Sequence, residues 1–498
     1  MRVTRRSKSR SNSMRNFHGS WRLLLGAAAM ASVSMTISSE LPPLTLQPTT
    51  PAKSLHQLQQ EFIDLRFGMF IHFNMATFQD REWGDPNGPV SAFDPTNLDT
   101  DQWAAAAKSA GMTYGCLTTK HHDGFPIWPT KTKVASILQT PKKIDVVGRY
   151  VNSFRKAGLK VGLYYSILDL RNDIRHHNVT PAKIKLIKDQ LTELLTNYGQ
   201  IDMLIFDGWD APWSRITYTE IPFDEIYQLV KKLQPNCVIS ELNASQYPSS
   251  ALYYSDIKAF EQNAGQKLPN DSKIPAQSCV TLTDGWFWKQ SDKDAELKSV
   301  KQVVDEWLVP QNERYCNLIL NAAPNREGKL APNIVARLAE IGKAWKHSGP
   351  APKIDESVVI TTTNLATGLP IHASSYPDTV GPDLSNDGDF GSTWYADNND
   401  EPAWLEITLP KPTEFNTLVL VEPVGKFHDY QKSRITDYKW QYWDGKAWVD
   451  LASGNTPSRV QIHAIPKVKA ERVRLFFHND PKQNTAHIAE LGIYNEPR

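Results

Sequence analysis

The chain has 498 residues, 40% of them hydrophobic, and sets 55 Lys and Arg against 54 Asp and Glu for a formal net charge of +1. It is too long for one ordinary domain, and it lacks the basic excess that a nucleic-acid partner demands, so two domains behind a leader and no nucleic-acid binding are expected. No stretch is apolar for long enough to span a bilayer. Residues 1–40 read as that leader: Arg2, Arg5, Arg6, Lys8, Arg10, Arg15 and Arg22 surround or precede an apolar run from Leu23 to about Ala31. This is the pattern of a signal peptide, which predicts a secreted or periplasmic protein. A Pro-rich linker, 41–54, follows.

From residue 55 helical and strand-like runs alternate. A helix over Leu55–Leu65 precedes an apolar strand, Phe67–Phe73, that carries His72 at its end, and then a loop with Glu82, Trp83 and Gly84. The next helix, Asp101–Ala110, opens on a capping Thr100 or Asp101 and closes at Gly111. Strand Tyr114–Thr119 delivers Lys120, His121, His122 and Asp123; helix Val146–Ala157 and strand Val161–Ser166, with Tyr164 and Tyr165, come after it. Helix Pro181–Tyr198 feeds strand Met203–Phe206, which ends on Asp207 and Gly208. Helix Phe223–Leu233, strand Val238–Glu241, a strand over Leu252–Ile257, strand Ser278–Leu282, helix Leu297–Trp307, strand Asn317–Leu320 and helix Asn333–Trp345 complete the series.

About eight strand-helix steps over roughly 290 residues have the rhythm of a (β/α)8 TIM barrel. No glycine-rich phosphate loop follows the first strand, which argues against an open doubly wound sheet. The barrel domain is expected over 55–348. Beyond Pro350 helix signals vanish, and short alternating runs such as Trp404–Leu409, Thr417–Val421, Asp437–Trp443 and Arg472–Phe477 predict an all-β sandwich over 355–498.

In such a barrel, residues just after strands converge on one mouth. Asp207, at the end of an apolar strand, reads either as a nucleophile or base or as the cap of the next turn. His121 and His122 could ligate a metal or exchange hydrogen bonds with sugar hydroxyls, and no H-E-x-x-H or carboxylate spacing completes a metal site. Trp286 and Trp288 also follow a strand and offer faces for a sugar ring. Cys116, Cys237, Cys279 and Cys316 have no paired metal spacing, and Cys116, Cys237 and Cys316, in strand-like apolar runs, read as small buried hydrophobes.

The segments FGMFIHF (67–73), EWG (82–84), KHHDGF (120–125), GLYYS (162–166), FDG (206–208), DGWFW (284–288) and NLILNAAPNREG (317–328) together resemble glycoside hydrolase family 29, the α-L-fucosidases. The resemblance implies a (β/α)8-like barrel, hydrolysis with retention, Asp207 as nucleophile, and His72, Glu82, Trp83, His121, His122, Tyr165 and Trp286 around the fucose. It implies no catalytic cofactor. The acid/base residue varies within the family. Glu261 in DIKAFEQNAG is the choice here, because that segment is similar to the branch favouring α-1,3/1,4-linked fucose; Glu241 and Asp256 are its rivals. Two departures stand out: VISELN lacks an arginine found in some members, a charge that Lys258 could supply, and Gln277 replaces a common glutamate.

NLATGLPIHASS, NDGDFGSTWYA, AWLEITL and AHIAELGIY resemble the discoidin, or coagulation factor C-type, galactose-binding-like jelly-roll. In that module Asp387, Asp389 and Glu490 would supply hard oxygen ligands to a structural calcium ion. The expected protein is thus an exported exo-α-L-fucosidase acting on fucosylated oligosaccharides or glycoconjugates. The alternative is a catalytically idle fucose-binding lectin on the same scaffold.

Overall fold

The fold was analysed in a computed structural model. It describes residues 51–498 apart from 210, 219, 243–254, 265, 267, 269–271, 348, 355–359, 361, 389–391, 398–401, 423–432, 456–459, 483–484 and 498. The expected leader, 1–40, lies outside the described residues.

Eight parallel strands form one sheet: β1 (Phe67–Ile71), β2 (Tyr114–Lys120), β3 (Lys160–Ser166), β4 (Met203–Asp207), β5 (Val238–Glu241), β6 (Lys258–Glu261), β7 (Ala276–Thr281) and β8 (Cys316–Asn321). Their order is β5-β4-β3-β2-β1-β8-β7-β6, so the chain curls back on itself with β1 paired to β8. Between β5 and β6 no ladder forms among the described residues; a bridge, Ser240 to Ile257, and Asp256 N donating to Ile239 O at 2.9 Å span the seam. The result is the expected barrel, nearly closed.

Strand alternation sorts the core into two layers. Phe70, Cys116, Tyr164, Met203, Ile205, Ala259, Cys279 and Ile319 pack together with Leu58, Phe62 and Ile63 of helix Leu55–Asp64, filling the barrel interior. The intervening residues, among them Met69, Leu117, Leu163, Tyr165, Leu204 and Phe206, join the larger cluster under the surrounding helices. That first helix is fixed by a reciprocal capping box between Ser54 and Gln57.

Three expectations need correction. The sixth strand is Lys258–Glu261, not Leu252–Ile257: residues 252–254 lie outside the described residues, and Ser255 and Asp256 bend into the strand. Helix Thr100–Ser109 is capped by Asp99, whose carboxylate accepts from Gln102 N at 2.9 Å, so Thr100 and Asp101 already lie within the first turn. The expected helix Leu297–Trp307 begins near Val300 and is wound as a π-helix over Gln302–Leu308.

The C-terminal domain is an antiparallel sheet built on two long strands, Ala403–Val421 and Val460–Asn479, with a smaller two-stranded sheet beside it. Trp404–Leu409 and Thr417–Val421, read as separate strands, are two halves of the first. Its register shifts between Thr408 and Thr413, where Pro410 and Pro412 cannot donate to the ladder. Trp394, Leu405, Trp440, Leu475 and Ile488 anchor the core of this domain. Ile274, ahead of β7, packs against Val419, Val421 and Tyr494, tying the barrel to the sheet.

Candidate active site

A cavity of about 150 Å³ opens at the C-terminal end of the barrel strands, lined by Phe70, His72, Glu82, Trp83, His121, His122, Tyr164, Asp207, Trp213, Leu242, Glu261 and Trp286. Of the nine catalytic and binding residues expected from the sequence, eight are here. The ninth, Tyr165, is not. It sits one position along β3 from Tyr164 and therefore faces the other side of the sheet, where its hydroxyl donates to Gln190 Oε1 at 2.7 Å and Lys120 Nζ lies 4.3 Å from its ring centre. Tyr164 points inward in its place, and its hydroxyl donates to Asp207 Oδ2 at 2.6 Å.

Asp207 is the last residue of β4 and only 7% exposed. Gly208 follows at φ 106°, the left-handed region where a side chain is strained, so the chain turns away directly after the carboxylate. His122 Nε2 stands 3.6 Å from Asp207 Oδ2, and its Nδ1 is paired with Ser166 Oγ at 2.8 Å. Asp207 is thus held by a phenol from β3 and faced by an imidazole from the β2 loop.

The three histidines are neutral. Burial pushes His72 and His122 down to about 3, helped for His122 by the neighbouring His72 and Lys120, and it lowers His121 well below the ordinary imidazole value. His72 Nδ1 pairs with Asn321 Oδ1 at 2.8 Å. His121 Nδ1 is buried with no hydrogen-bond partner among the described residues. An unmet polar atom in a cavity wall favours a ligand that brings its own hydroxyl.

Glu82 and Trp286 are linked: Trp286 N donates to Glu82 Oε2 at 2.9 Å, while Lys289 Nζ pairs with Glu82 Oε1 at 2.6 Å. The glycine of the EWG segment is packed so closely that a Cβ on Gly84 would sit 2.9 Å from Asp123 Cγ, which locks that loop onto the KHHDGF loop. Trp286 lies against His72, ring centres 4.9 Å apart. Trp83 and Trp213 stand nearly perpendicular at 5.0 Å on the rim, 37% and 42% exposed. Trp288 does not line the cavity and is covered by Arg326.

Glu261 ends β6 with the same inward parity as Ala259. Burial and the charge of Asp207 push its carboxyl up to about 7, against a pull down from the Trp286 side chain. Its rivals sit elsewhere. Asp256 is consumed by Tyr227, Lys231 and the backbone N–H of Ile239. Glu241 is fully buried, accepts from the Tyr218 hydroxyl at 3.1 Å, and faces the buried Lys258, which burial drives well below its ordinary value. Lys258 does not line the cavity. Gln277 is buried within β7 and also lies off the cavity.

Sequence reading missed Tyr164, Phe70, Trp213 and Leu242. Parity along β3 and β1 was available for the first two: Asp207 fixes which face of β4 is inside, and the interior cluster follows from it. Trp213 and Leu242 sit in loops, where no periodicity points to them.

In the second domain Glu490 is 1% exposed and accepts from Asn364 Nδ2 at 2.9 Å and Gly388 N at 3.2 Å; Asp387 accepts from Ser392 Oγ at 2.7 Å. Asp389 lies outside the described residues. The four cysteines are all free and buried.

Comparison with known proteins finds a match for each of the two domains. Residues 79–350 match the family model for α-L-fucosidase, and residues 370–491 match that for the F5/8 type C domain. An α-L-fucosidase 1 of Arabidopsis thaliana is 26% identical over 90% of this chain and 88% of its own length. The tissue α-L-fucosidase of Homo sapiens is 24% identical over 66% of this chain and 75% of its own. Among solved structures, a glycoside hydrolase 29 family member from an unknown rumen bacterium is 25% identical with a TM-score of 0.50, covering 91% of this chain and 78% of that one.

Proposed function

The chain belongs to the α-L-fucosidase family, glycoside hydrolase family 29, with an F5/8 type C domain behind its barrel, and from that premise we propose that it releases terminal α-linked L-fucose with retention of configuration, Asp207 acting as nucleophile and Glu261 as acid/base. In the first step Asp207 attacks the anomeric carbon while the bond to the leaving oxygen breaks and Glu261 gives that oxygen its proton. In the second, Glu261 takes a proton from water, the water oxygen attacks the same carbon, and the Asp207 carboxylate departs.

One observation carries the reading: the two carboxyls share one cavity, and the charge of Asp207 contributes to holding Glu261 near 7. A residue that is acid first and base second needs a pKa near the working pH. Tyr164, by donating to Asp207, keeps the nucleophile aimed. The neutral His72, His121 and His122 suit uncharged sugar hydroxyls, and Trp286 offers an apolar face. The DIKAFEQNAG segment supports a preference for α-1,3/1,4 linkages, and the basic and apolar leader supports export.

The test is hydrolysis of an aryl α-L-fucoside and of fucosylated oligosaccharides of defined linkage, with the first-formed fucose anomer followed by proton NMR. The α anomer appearing first is expected. The β anomer first overturns the double displacement, and fucose binding without release from any substrate favours the lectin reading. Azide should restore turnover of the aryl fucoside to Glu261→Ala; rescue in Glu241→Ala instead would move the acid/base role there.

In the sandwich domain a structural calcium at Asp387, Asp389 and Glu490 remains a proposal. Its support is the buried Glu490 carboxylate, held against the Asp387 loop by Gly388. Chelation should lower the melting temperature of the protein and added calcium restore it; no change on chelation refutes it.

A further inference from the structure

The loops after β3 and β4 meet at a second cluster that the fucosidase chemistry does not use. His176 and His177 lie on the β3 loop and Glu220 on the β4 loop, and one ligand atom from each falls within 4.8 Å of the others. Among the described residues no other group of three such side chains comes together this way. His176 Nδ1 is 2.8 Å from Glu220 Oε2, and His177 Nδ1 is 3.8 Å from Glu220 Oε1. The imidazole planes lie 3.6 Å apart by their centres, tilted by 32°.

We propose that His176, His177 and Glu220 form a binding site for a divalent transition-metal ion of the zinc class, which clasps the β3 loop to the β4 loop. Two imidazoles and a carboxylate are a donor set that suits zinc or its neighbours rather than magnesium or calcium, which prefer oxygen alone. Ligand atoms around a tetrahedral zinc stand ~3.3 Å apart for bonds of ~2.0–2.1 Å, and the two separations above bracket that value. Glu220 is already oriented by the backbone: Thr217 N donates to Oε2 at 3.0 Å and His177 N to Oε1 at 2.8 Å. Such fixing of a ligand by surrounding N–H groups is what favours metal capture over a mobile surface pair.

The imidazole of His177 is 83% exposed, so the ion would keep an outward coordination position for water. The clasp also has a structural reach. Glu220 closes the segment that begins after Asp207 and carries Trp213 at the cavity rim, so fixing Glu220 to the β3 loop restrains that rim.

The experiment uses the full chain stripped with chelator and titrated with zinc chloride by calorimetry, with magnesium chloride as control. One zinc per chain in the micromolar range and a raised melting temperature are expected, with no response to magnesium. His177→Asn is the informative variant: Asn tolerates the positive φ of 61° at this position, and the exposed ring contributes little to the apo fold. It should leave the metal-free melting temperature unchanged, weaken zinc at least tenfold and remove the stabilisation. The chain has 13 histidines, so zinc binding retained at full strength in His177→Asn puts the metal elsewhere and overturns the site. A second readout tests the clasp. Trypsin cleavage after the exposed Arg215 should slow several-fold with zinc bound, and an equal rate with and without zinc refutes the restraint.

Discussion

The two sides of the barrel mouth are built differently. On the β1–β4 side each strand pairs with the next by a ladder, and three polar groups of the cavity wall are anchored: His72 by Asn321, His122 by Ser166, Asp207 by Tyr164. His121 Nδ1 has no hydrogen-bond partner among the described residues. On the β5–β6 side a bridge and no ladder spans the seam among the described residues, and Glu261 is governed by its surroundings more than by partners. The proposed nucleophile must be stationary, which a dense hydrogen-bond frame provides; the proposed acid/base must change protonation twice per turnover, which a desolvated position beside a charge provides.

The strongest way to break this contrast is Asp207→Ala, which should lower kcat by about 10⁴-fold or more, about 5.5 kcal/mol of barrier, without lowering the melting temperature by more than a few degrees. Retained turnover would leave the anchored side with no chemical task. Glu261→Gln is the next largest. It should cost about 10²–10⁴ in kcat for natural glycosides, where the leaving oxygen needs a proton, and far less for aryl fucosides with a good leaving group. The pH profile follows from the same group. Glu261 must be protonated to act as acid, so wild-type kcat/KM should fall as pH rises through about 7, and Glu261→Gln should lose that alkaline limb. If both limbs persist in the variant, another group sets the profile.

The same substitution has an opposite effect on stability. A carboxyl whose folded pKa is raised from 4.5 to about 7 binds its proton more tightly in the native state. Its stabilising contribution is complete below about 4.5 and is lost as pH rises through about 7. Glu261→Gln removes the charge that the fold resists, so at pH 8 it should be more stable than wild type, by about 3 kcal/mol at most. Denaturant melts at pH 4 and pH 8 check the sign: the gain should appear only at the higher pH.

The contrast also explains what could be read in advance. On the anchored side each motif ends a regular strand, so apolar runs and the residues after them exposed His72, His121, His122 and Asp207 directly. At the seam regularity fails. The sixth strand was sought in Leu252–Ile257, six residues too early, because the aromatic run there is as strand-like as KAFE and because nothing local announces that a lysine, Lys258, is buried at the strand's start. Glu261 was reached only through likeness to a family segment. The pairing of Glu82 with Lys289, and His121 Nδ1 left without a hydrogen-bond partner among the described residues, depend on loops meeting across the mouth, which no local pattern encodes.

The smallest test is also the sharpest, because it turns on one step along β3. Tyr164 and Tyr165 are adjacent, equally buried and chemically identical, and only strand parity separates them. Tyr164→Phe deletes a hydroxyl that donates to Asp207 at 2.6 Å, a bond to a charged acceptor of the kind worth about 1.5–3 kcal/mol. Its loss should lower kcat by about ten- to a hundred-fold, since Asp207 then faces the anomeric carbon with one donor fewer. Tyr165→Phe deletes a bond to Gln190 in the outer layer, and should cost about 1 kcal/mol of stability with kcat within about twofold of wild type. If the two variants lose activity equally, the anchored side acts through packing and not through the frame around Asp207. If Tyr165→Phe alone is impaired, the inward assignment of Tyr164 is wrong, and with it the parity that also brings Glu261 to the cavity.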